Sequence, residues 1–179
     1  QRSMDALRRA IDAGFDVSVS TMISARNLLD FDALEDLFRS HGVREWSVDV
    51  PCLTGRMADN RDIAVPPEVA GKYLGYGYGG GMHAAGRGYA CGLHLMAVMP
   101  DGSAAKCAFY SDRPVGTIGE GLKSCWERVR PIRLENLECD CEYVDACRGG
   151  CRYRAELDGR PTNRDRYRCA LHGVIDKQG

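Results

Sequence analysis

The sequence contains no long run of hydrophobic residues. No stretch approaches the roughly 18 to 20 consecutive apolar residues that a helix needs to cross a bilayer, and the opening Gln1-Arg2-Ser3-Met4 does not begin a secretory signal. Positive charge is not in excess either, since 24 Lys and Arg stand against 25 Asp and Glu in 179 residues. Binding to a membrane or to nucleic acid is therefore not expected, and we predict a cytoplasmic protein.

The chain has only 4 His and no Ser, His and Asp set with a readable spacing, so we assign no catalytic residue, but it has 9 Cys. In an exported chain such enrichment would indicate disulfide bonds. Here the number is odd and no export signal is present, so metal binding is the better interpretation. The cysteines are Cys52, Cys91, Cys107, Cys125, Cys139, Cys141, Cys147, Cys151 and Cys169.

The N-terminal residues alternate between patterns typical of helices and of strands. Apolar residues first recur at helical spacing, then alternate with polar ones, and the cycle repeats. Ser3 can cap the first helix and Asp30 the second. The predicted elements are a helix from Ser3 to Gly14, a strand over 15–23, a helix over 30–42 and a strand over 43–50.

Strands joined by a helix should lie parallel, so we predict an α/β fold, α+β over the whole chain. A parallel sheet this small leaves its edges and apolar faces uncovered. Residues 1–65 are therefore interpreted as part of a larger domain. The alternative is a small self-contained α/β domain whose sheet is completed in a homodimer or by a domain swap.

Residues 66–90 are predicted to be a connector. Pro66 and Pro67 can start a short helix to about Leu74, followed by a glycine-rich run over 75–81. This run contains G-x-G-x-x-G, but the dinucleotide fingerprint needs a strand before it and a helix after it. Neither is predicted here, so we interpret the run as a loop or hinge.

The C-terminal residues form a cysteine framework. A Pro-Asp-Gly turn at 100–102 predicts a β-hairpin over 93–108, which brings Cys91 and Cys107 close together. Short helices are predicted after it. The cysteines then come too densely for a conventional hydrophobic core, so bound metal is expected to cross-link this region.

Thiolates at short spacings indicate a soft metal centre, and both iron–sulfur clusters and tetrahedral zinc take four sulfur ligands. Zinc sites usually draw on compact pairs, whereas 7 cysteines here nearly fill two centres of four ligands. Between Cys147 and Cys151, Gly149 and Gly150 allow the backbone to approach a cluster and donate N–H groups to it. An iron–sulfur site is therefore favoured over zinc.

Arginines surround this segment, and Arg148 lies within it as a predicted cofactor contact. A cluster with four thiolates is anionic, so nearby arginines offset its charge and raise its reduction potential. The alternative is a solvated surface rich in arginine. The arginines are Arg148, Arg152, Arg154, Arg160, Arg164, Arg166 and Arg168.

The cysteine spacing resembles the signature of the SPASM domain, the C-terminal extension of a group of radical S-adenosylmethionine enzymes. That signature runs C-x9-15-G-x4-C, C-x2-C-x5-C-x3-C and a last Cys. The pattern here is Cys91-x10-Gly102-x4-Cys107, Cys139-x-Cys141-x5-Cys147-x3-Cys151 and Cys169. The pair Cys139-x-Cys141 is one residue short, so either Cys139 is displaced as a ligand or Asp140 shares its task.

The resemblance implies that residues 91–179 form a SPASM domain holding two auxiliary 4Fe-4S clusters. The implied ligands are Cys91, Cys107 and Cys151 for the first cluster, and Cys139, Cys141, Cys147 and Cys169 for the second. The first cluster then lacks a fourth thiolate, because Ala85 stands where some relatives have Cys. A vacant iron site, a non-Cys ligand and Cys125 are all open as the fourth position. Otherwise Cys52 and Cys125 are interpreted as buried packing residues.

Residues 1–65 then resemble the C-terminal part of the incomplete parallel βα barrel of these enzymes. The family motif C-x3-C-x2-C, which binds the cluster that cleaves S-adenosylmethionine, does not occur in this sequence. We therefore expect the C-terminal part of a longer enzyme, inactive alone, that modifies a peptide or protein substrate by redox chemistry. An electron-donor protein is a further expected partner, and S-adenosylmethionine would bind only to the full-length enzyme.

Two alternatives of other classes stay open at this point. One is a stand-alone iron–sulfur electron carrier, and the other is a zinc-stabilised binding module. A preparation made in air could also contain zinc where clusters had been lost.

Overall fold

The computed structural model describes residues 2–79, 88–91 and 95–175. They form a mixed α/β structure of small sheets and short helices, compatible with the predicted α+β class. The chain divides into two compact units, the N-terminal unit (Gln1–Met82 with Ala170–Gly179) and the cysteine-rich unit (His83–Cys169). No helix in the described part of the chain is long and apolar enough to cross a membrane.

The N-terminal unit is built on a parallel pair of strands joined by a helix. Its elements are α1 (Arg2–Asp12), β1 (Ser18–Met22), α2 (Phe31–Ser40), β2 (Glu45–Asp49) and α3 (Pro67–Ala70). Strands β1 and β2 are parallel, with Ser18 opposite Glu45 and Met22 opposite Asp49. The predicted order of helix, strand, helix and strand is therefore confirmed.

Strand β1 begins at Ser18, later than predicted, because Phe15 belongs to the hydrogen-bonded end of α1. Gly14 adopts a φ of 80°, and the Phe15 N–H donates to the Ala10 carbonyl oxygen at 3.0 Å, which closes the helix. Phe15 is 70% exposed and does not lie on a sheet face. The prediction that Ser3 caps α1 is also wrong, because the helix already includes Arg2, a good helix former.

The core of the N-terminal unit is centred on Trp46. Its side chain is 1% exposed, and its ring centroid lies 6.0 Å from that of Phe31 and 5.3 Å from that of Phe38, both on α2. Its Nε1–H donates to Thr21 Oγ1 on β1 at 2.9 Å, which satisfies the one polar atom of the ring. A single aromatic side chain on β2 thus joins the helix to the neighbouring strand.

The glycine-rich run lies directly against β2. Tyr78 and Trp46 exchange two backbone hydrogen bonds of 2.9 Å, which form an antiparallel bridge. A Cβ added at Gly77 would lie 2.9 Å from the Trp46 carbonyl oxygen, so glycine is needed for this close approach. The predicted loop is therefore fixed to the strand at this point. Residues 80 and 81, which complete the run, lie outside the described residues.

Replacing the central ring should strongly destabilise the protein. Trp46→Ala leaves a cavity between the strands and α2, and such substitutions cost about 3–5 kcal/mol of the free energy of unfolding. Urea unfolding followed by circular dichroism measures this loss. Trp126→Ala, at a ring that is 39% exposed, is the matched control and should cost about 1 kcal/mol or less. Equal losses for the two variants would contradict this description of the core.

The cysteine-rich unit begins with a small antiparallel sheet. The elements from here to the C-terminus are β3 (Ala97–Val98), β4 (Ser103–Ala105), β5 (Gly116–Thr117), α4 (Leu122–Arg128), α5 (Val144–Cys147), α6 (Arg152–Leu157) and α7 (Arg166–Leu171). Strands β3 and β4 form the predicted hairpin, with Gly102 at a φ of 82° in its turn. The paired part is shorter than predicted, and residues 92–94 lie outside the described residues. Strand β5 pairs with β4; it was not predicted, because two residues are too few for an alternating pattern.

Candidate metal centre

None of the 9 cysteines, all of which lie within the described residues, is part of a disulfide bond. The 7 predicted ligands lie in the cysteine-rich unit, and each of them is partly exposed. Disulfide bonds therefore do not account for the cysteine content. The thiols retain the capacity to act as ligands for a soft metal centre.

Three thiols lie at or near the ends of their elements. Cys91 precedes the hairpin, Cys107 follows β4, and Cys151 stands directly before α6. Burial raises the pKa of Cys91, and the negative charges of Cys151 and Cys107 raise it further, while the charge of Lys106 lowers it. The charges of both Cys107 and Cys151 therefore act on the Cys91 thiol. We call Cys91, Cys107 and Cys151 the three-thiol group.

Four further thiols form a second set. Burial raises the pKa of Cys169 to about 11, and the charges of Cys139 and Cys147 contribute to this shift. Burial also raises the pKa of Cys139, and the charge of Cys141 adds to it. Arg164 acts in the opposite direction on both Cys139 and Cys169. We call Cys139, Cys141, Cys147 and Cys169 the four-thiol group.

The two groups are interleaved along the chain. Cys147 belongs to the four-thiol group, Cys151 to the three-thiol group, and Cys169 to the four-thiol group again. Only 3 residues separate Cys147 from Cys151. The conformation of these residues therefore determines how neighbouring thiols reach different groups.

The three residues between Cys147 and Cys151 all have positive φ, which non-glycine residues rarely adopt. The φ angles are 54° at Arg148, 76° at Gly149 and 71° at Gly150. A Cβ on Gly149 would lie 2.6 Å from Leu137 Cδ1, and one on Gly150 would lie 2.5 Å from Asp165 Oδ2. Both positions therefore require glycine. We call residues 148–150 the inter-thiol turn.

The inter-thiol turn also directs a backbone group at a thiol. Burial raises the pKa of Cys147, whereas the charge of Arg168 and a hydrogen bond from the Gly149 N–H lower it. Arg148 donates from Nε to the carbonyl oxygen of Tyr89 at 2.9 Å, so it holds the segment that leads into Cys91. Its contact with a cofactor stays a prediction.

Asp165 holds the inter-thiol turn from the other side. It is 2% exposed, and its Oδ2 accepts from the Cys151 N–H and from Arg154 Nη2, both at 2.7 Å. Its Oδ1 accepts from the Tyr167 N–H at 3.2 Å. Sequence analysis did not single this residue out; the signal that could have found it is an isolated acid within an arginine-rich segment.

The predicted arginines lie in different environments. Arg152 and Arg154 are buried on α6, whereas Arg164 pairs with the exposed carboxylate of Asp140 at 2.8 Å. Because its carboxylate is paired with Arg164, Asp140 is not favoured as a metal ligand beside Cys139. The interpretation as a solvated arginine surface therefore applies to only part of the set.

Cys52 and Cys125 are buried, as interpreted from the sequence. Cys125 is fully buried, and its Sγ–H donates to the Thr117 carbonyl oxygen at 3.3 Å. This contact packs α4 against β5. Both cysteines are therefore residues of the hydrophobic interior.

Within residues 2–79, 88–91 and 95–175, no three His, Cys, Asp or Glu side chains are grouped so that they could hold a metal ion. The thiol groups are therefore defined by their mutual electrostatics and by the elements that carry them, and not by coordination distances.

The chain matches no protein-family model, no curated protein and no solved structure. Its function is consequently inferred from its residues, their spacing and their geometry.

Neutralising the buried carboxylate should destabilise the cysteine-rich unit. Asp165→Asn removes the charge that compensates the buried Arg154 guanidinium, and breaking such a pair costs about 3–5 kcal/mol. Urea unfolding of the reduced, metal-free protein measures the free energy of unfolding. Asp112→Asn, at an exposed carboxylate 3.8 Å from Arg113, is the matched control and should cost about 1 kcal/mol or less. An unchanged stability for Asp165→Asn would show that the buried pair has no such role.

Proposed function

We propose that this chain is the C-terminal part of a radical S-adenosylmethionine enzyme and ends in a SPASM domain that binds two auxiliary 4Fe-4S clusters. The enzyme acts in the cytoplasm and changes a peptide or protein substrate by a redox reaction. The observation that carries the proposal is that 7 partly exposed thiols, none of them in a disulfide bond, lie in one compact unit, where the charges of Cys107 and Cys151 act on Cys91 and those of Cys139 and Cys147 act on Cys169. The resemblance to the SPASM signature implies that these cysteines are divided between two clusters, with Cys91, Cys107 and Cys151 in one and the other four in the second.

The four-thiol group has the number and the kind of ligands that a 4Fe-4S cluster takes, namely four thiolates. The Gly149 N–H donates to Cys147, and Arg164 and Arg168 place positive charge beside these thiols. Hydrogen bonds and cations around the sulfur atoms offset the negative charge of such a cluster and raise its reduction potential. A cluster bound here would supply one-electron transfer.

The three-thiol group has three cysteine ligands, one fewer than a 4Fe-4S cluster takes. Cys125 does not suit the fourth position, because its thiol is fully buried and donates to a backbone carbonyl. A vacant iron site and a non-Cys ligand stay open for the fourth position, and substrate bound there is the candidate of interest. Lys106 adds positive charge there: burial lowers its pKa, and the charges of Cys91 and Cys107 raise it.

The N-terminal unit fits the end of the parallel βα barrel of the same enzymes, since β1, α2 and β2 form a parallel βαβ unit. The C-x3-C-x2-C motif is not part of this sequence. The residues of this chain therefore serve electron transfer and substrate anchoring, and generation of the radical belongs to the rest of the enzyme.

Metal analysis of single-cysteine variants tests the proposal. Anaerobic reconstitution should give about eight iron and about eight sulfide per chain, with broad absorbance near about 400 nm, as two 4Fe-4S clusters require. Cys107→Ala and Cys169→Ala each remove one ligand from a different group. Each variant should therefore lose about half of the iron, as measured by colorimetric iron and sulfide assays.

Cys125→Ala is the matched control, because it removes a thiol that belongs to neither group, and it should retain the full iron content. A colourless protein with stoichiometric zinc would replace the proposal with a zinc-stabilised module. Loss of all iron in both Cys107→Ala and Cys169→Ala would contradict two separate centres.

A further inference from the structure

Arg152 is a buried cation whose hydrogen bonds all go to neutral groups. It is 2% exposed, and it is the first residue of α6, next to Cys151. In the described part of the chain its guanidinium donates to backbone carbonyls and to no carboxylate. These acceptors are the carbonyl oxygens of Gly150 at 3.4 Å, Pro161 at 2.9 Å, Asn163 at 2.9 Å, and Gly149.

Arg154, two residues further along the same helix, has the more usual arrangement for a buried guanidinium, which is an ion pair with a carboxylate. Its guanidinium is also buried, but it pairs with the Asp165 carboxylate at 2.7 Å. A buried charge is costly unless an opposite charge compensates it, and carbonyl dipoles do so only in part. Arg152 therefore carries a positive charge that its hydrogen-bond partners do not neutralise.

The guanidinium of Arg152 lies where it can act on both thiol groups. It packs on the inter-thiol turn, since a Cβ on Gly149 would lie 2.9 Å from Arg152 Nη2. The turn carries Cys147 of the four-thiol group at one end and Cys151 of the three-thiol group at the other. Burial raises the pKa of Cys91 and of Cys139, and the charge of Arg152 lowers both.

We propose that Arg152 is the shared counter-cation of both metal centres, compensating their negative charge from one buried position between the thiol groups. The proposal rests on the proposed function in one respect, namely that both thiol groups bind anionic centres. Reduction adds an electron and makes each centre more negative, so the nearby cation favours the reduced state of both. By this account Arg152 is a positioning and charge-compensating residue, not a ligand.

The test compares two replacements that both lose the guanidinium fork but differ in charge. Arg152→Lys keeps the positive charge, whereas Arg152→Gln is neutral and still has an amide donor for the Gly149 and Gly150 carbonyls. The full chain is reconstituted anaerobically, its folding is checked by circular dichroism, and each centre is titrated with dithionite while its EPR signal is followed. Arg160→Gln is the matched control, because Arg160 is exposed and pairs with Glu138 at the surface.

We expect Arg152→Gln to make reduction of both centres about tenfold less favourable, which is about 59 mV for a one-electron couple. Arg152→Lys should stay within about threefold of the wild type, as should Arg160→Gln. Reduction equilibria in Arg152→Gln that match those of Arg152→Lys would overturn the proposal, even with full iron content. A shift at one centre only would overturn the shared role.

Failure of the proposed function gives a different result. If the wild-type chain takes up no iron but binds Co²⁺ through its thiols, the proposed function is wrong. The role of Arg152 is then tested by comparing the Co²⁺ affinities of the variants. About tenfold weaker binding in Arg152→Gln than in Arg152→Lys would still support the counter-cation, and equal binding would overturn it. Binding of neither metal by the wild type would overturn both.

Discussion

Between Cys147 and Cys151 the backbone passes through three consecutive residues of positive φ. Gly149 and Gly150 lie so close to Leu137 and Asp165 that neither position admits a Cβ without displacing its neighbour. This turn joins Cys147 of the four-thiol group to Cys151 of the three-thiol group. The path of the backbone between these two thiols consequently depends on the two glycines.

The charged residues around the inter-thiol turn differ in how much they contribute to the stability of the protein. Arg154 and Asp165 form a buried pair, whose disruption leaves an uncompensated charge in the interior at a cost of several kcal/mol. Arg160 and Glu138 form a surface pair, and such pairs contribute about 0–1 kcal/mol. Arg152 differs from both, because its hydrogen bonds neutralise no charge. Asp165 thus stabilises the fold, whereas Arg152 is proposed to compensate the negative charge of the thiol groups.

The sequence was sufficient for features that local patterns encode. Periodicity predicted the parallel strands joined by α2, and the Asp-Gly pair predicted the turn at Gly102, which has positive φ. The strand prediction was wrong at Phe15, because the backbone hydrogen bond from Phe15 to Ala10 closes α1 there. Asp165 and Arg152 could not be distinguished from the surrounding charged residues, because their importance comes from burial and from hydrogen bonds that exist only once residues 147–167 are folded together. The resemblance to the SPASM signature assigned the cysteines to candidate groups, but the surroundings of each thiol required three-dimensional coordinates.

The central claim is that 7 thiols surround two separate metal centres. A crystal structure of the anaerobically prepared chain, with anomalous scattering measured at the iron edge, tests it most directly. We expect two distinct iron sites, one bounded by Cys91, Cys107 and Cys151, and the other by Cys139, Cys141, Cys147 and Cys169. A single iron site, a centre that mixes thiols of the two groups, or sulfur atoms joined in disulfide bonds would contradict the claim.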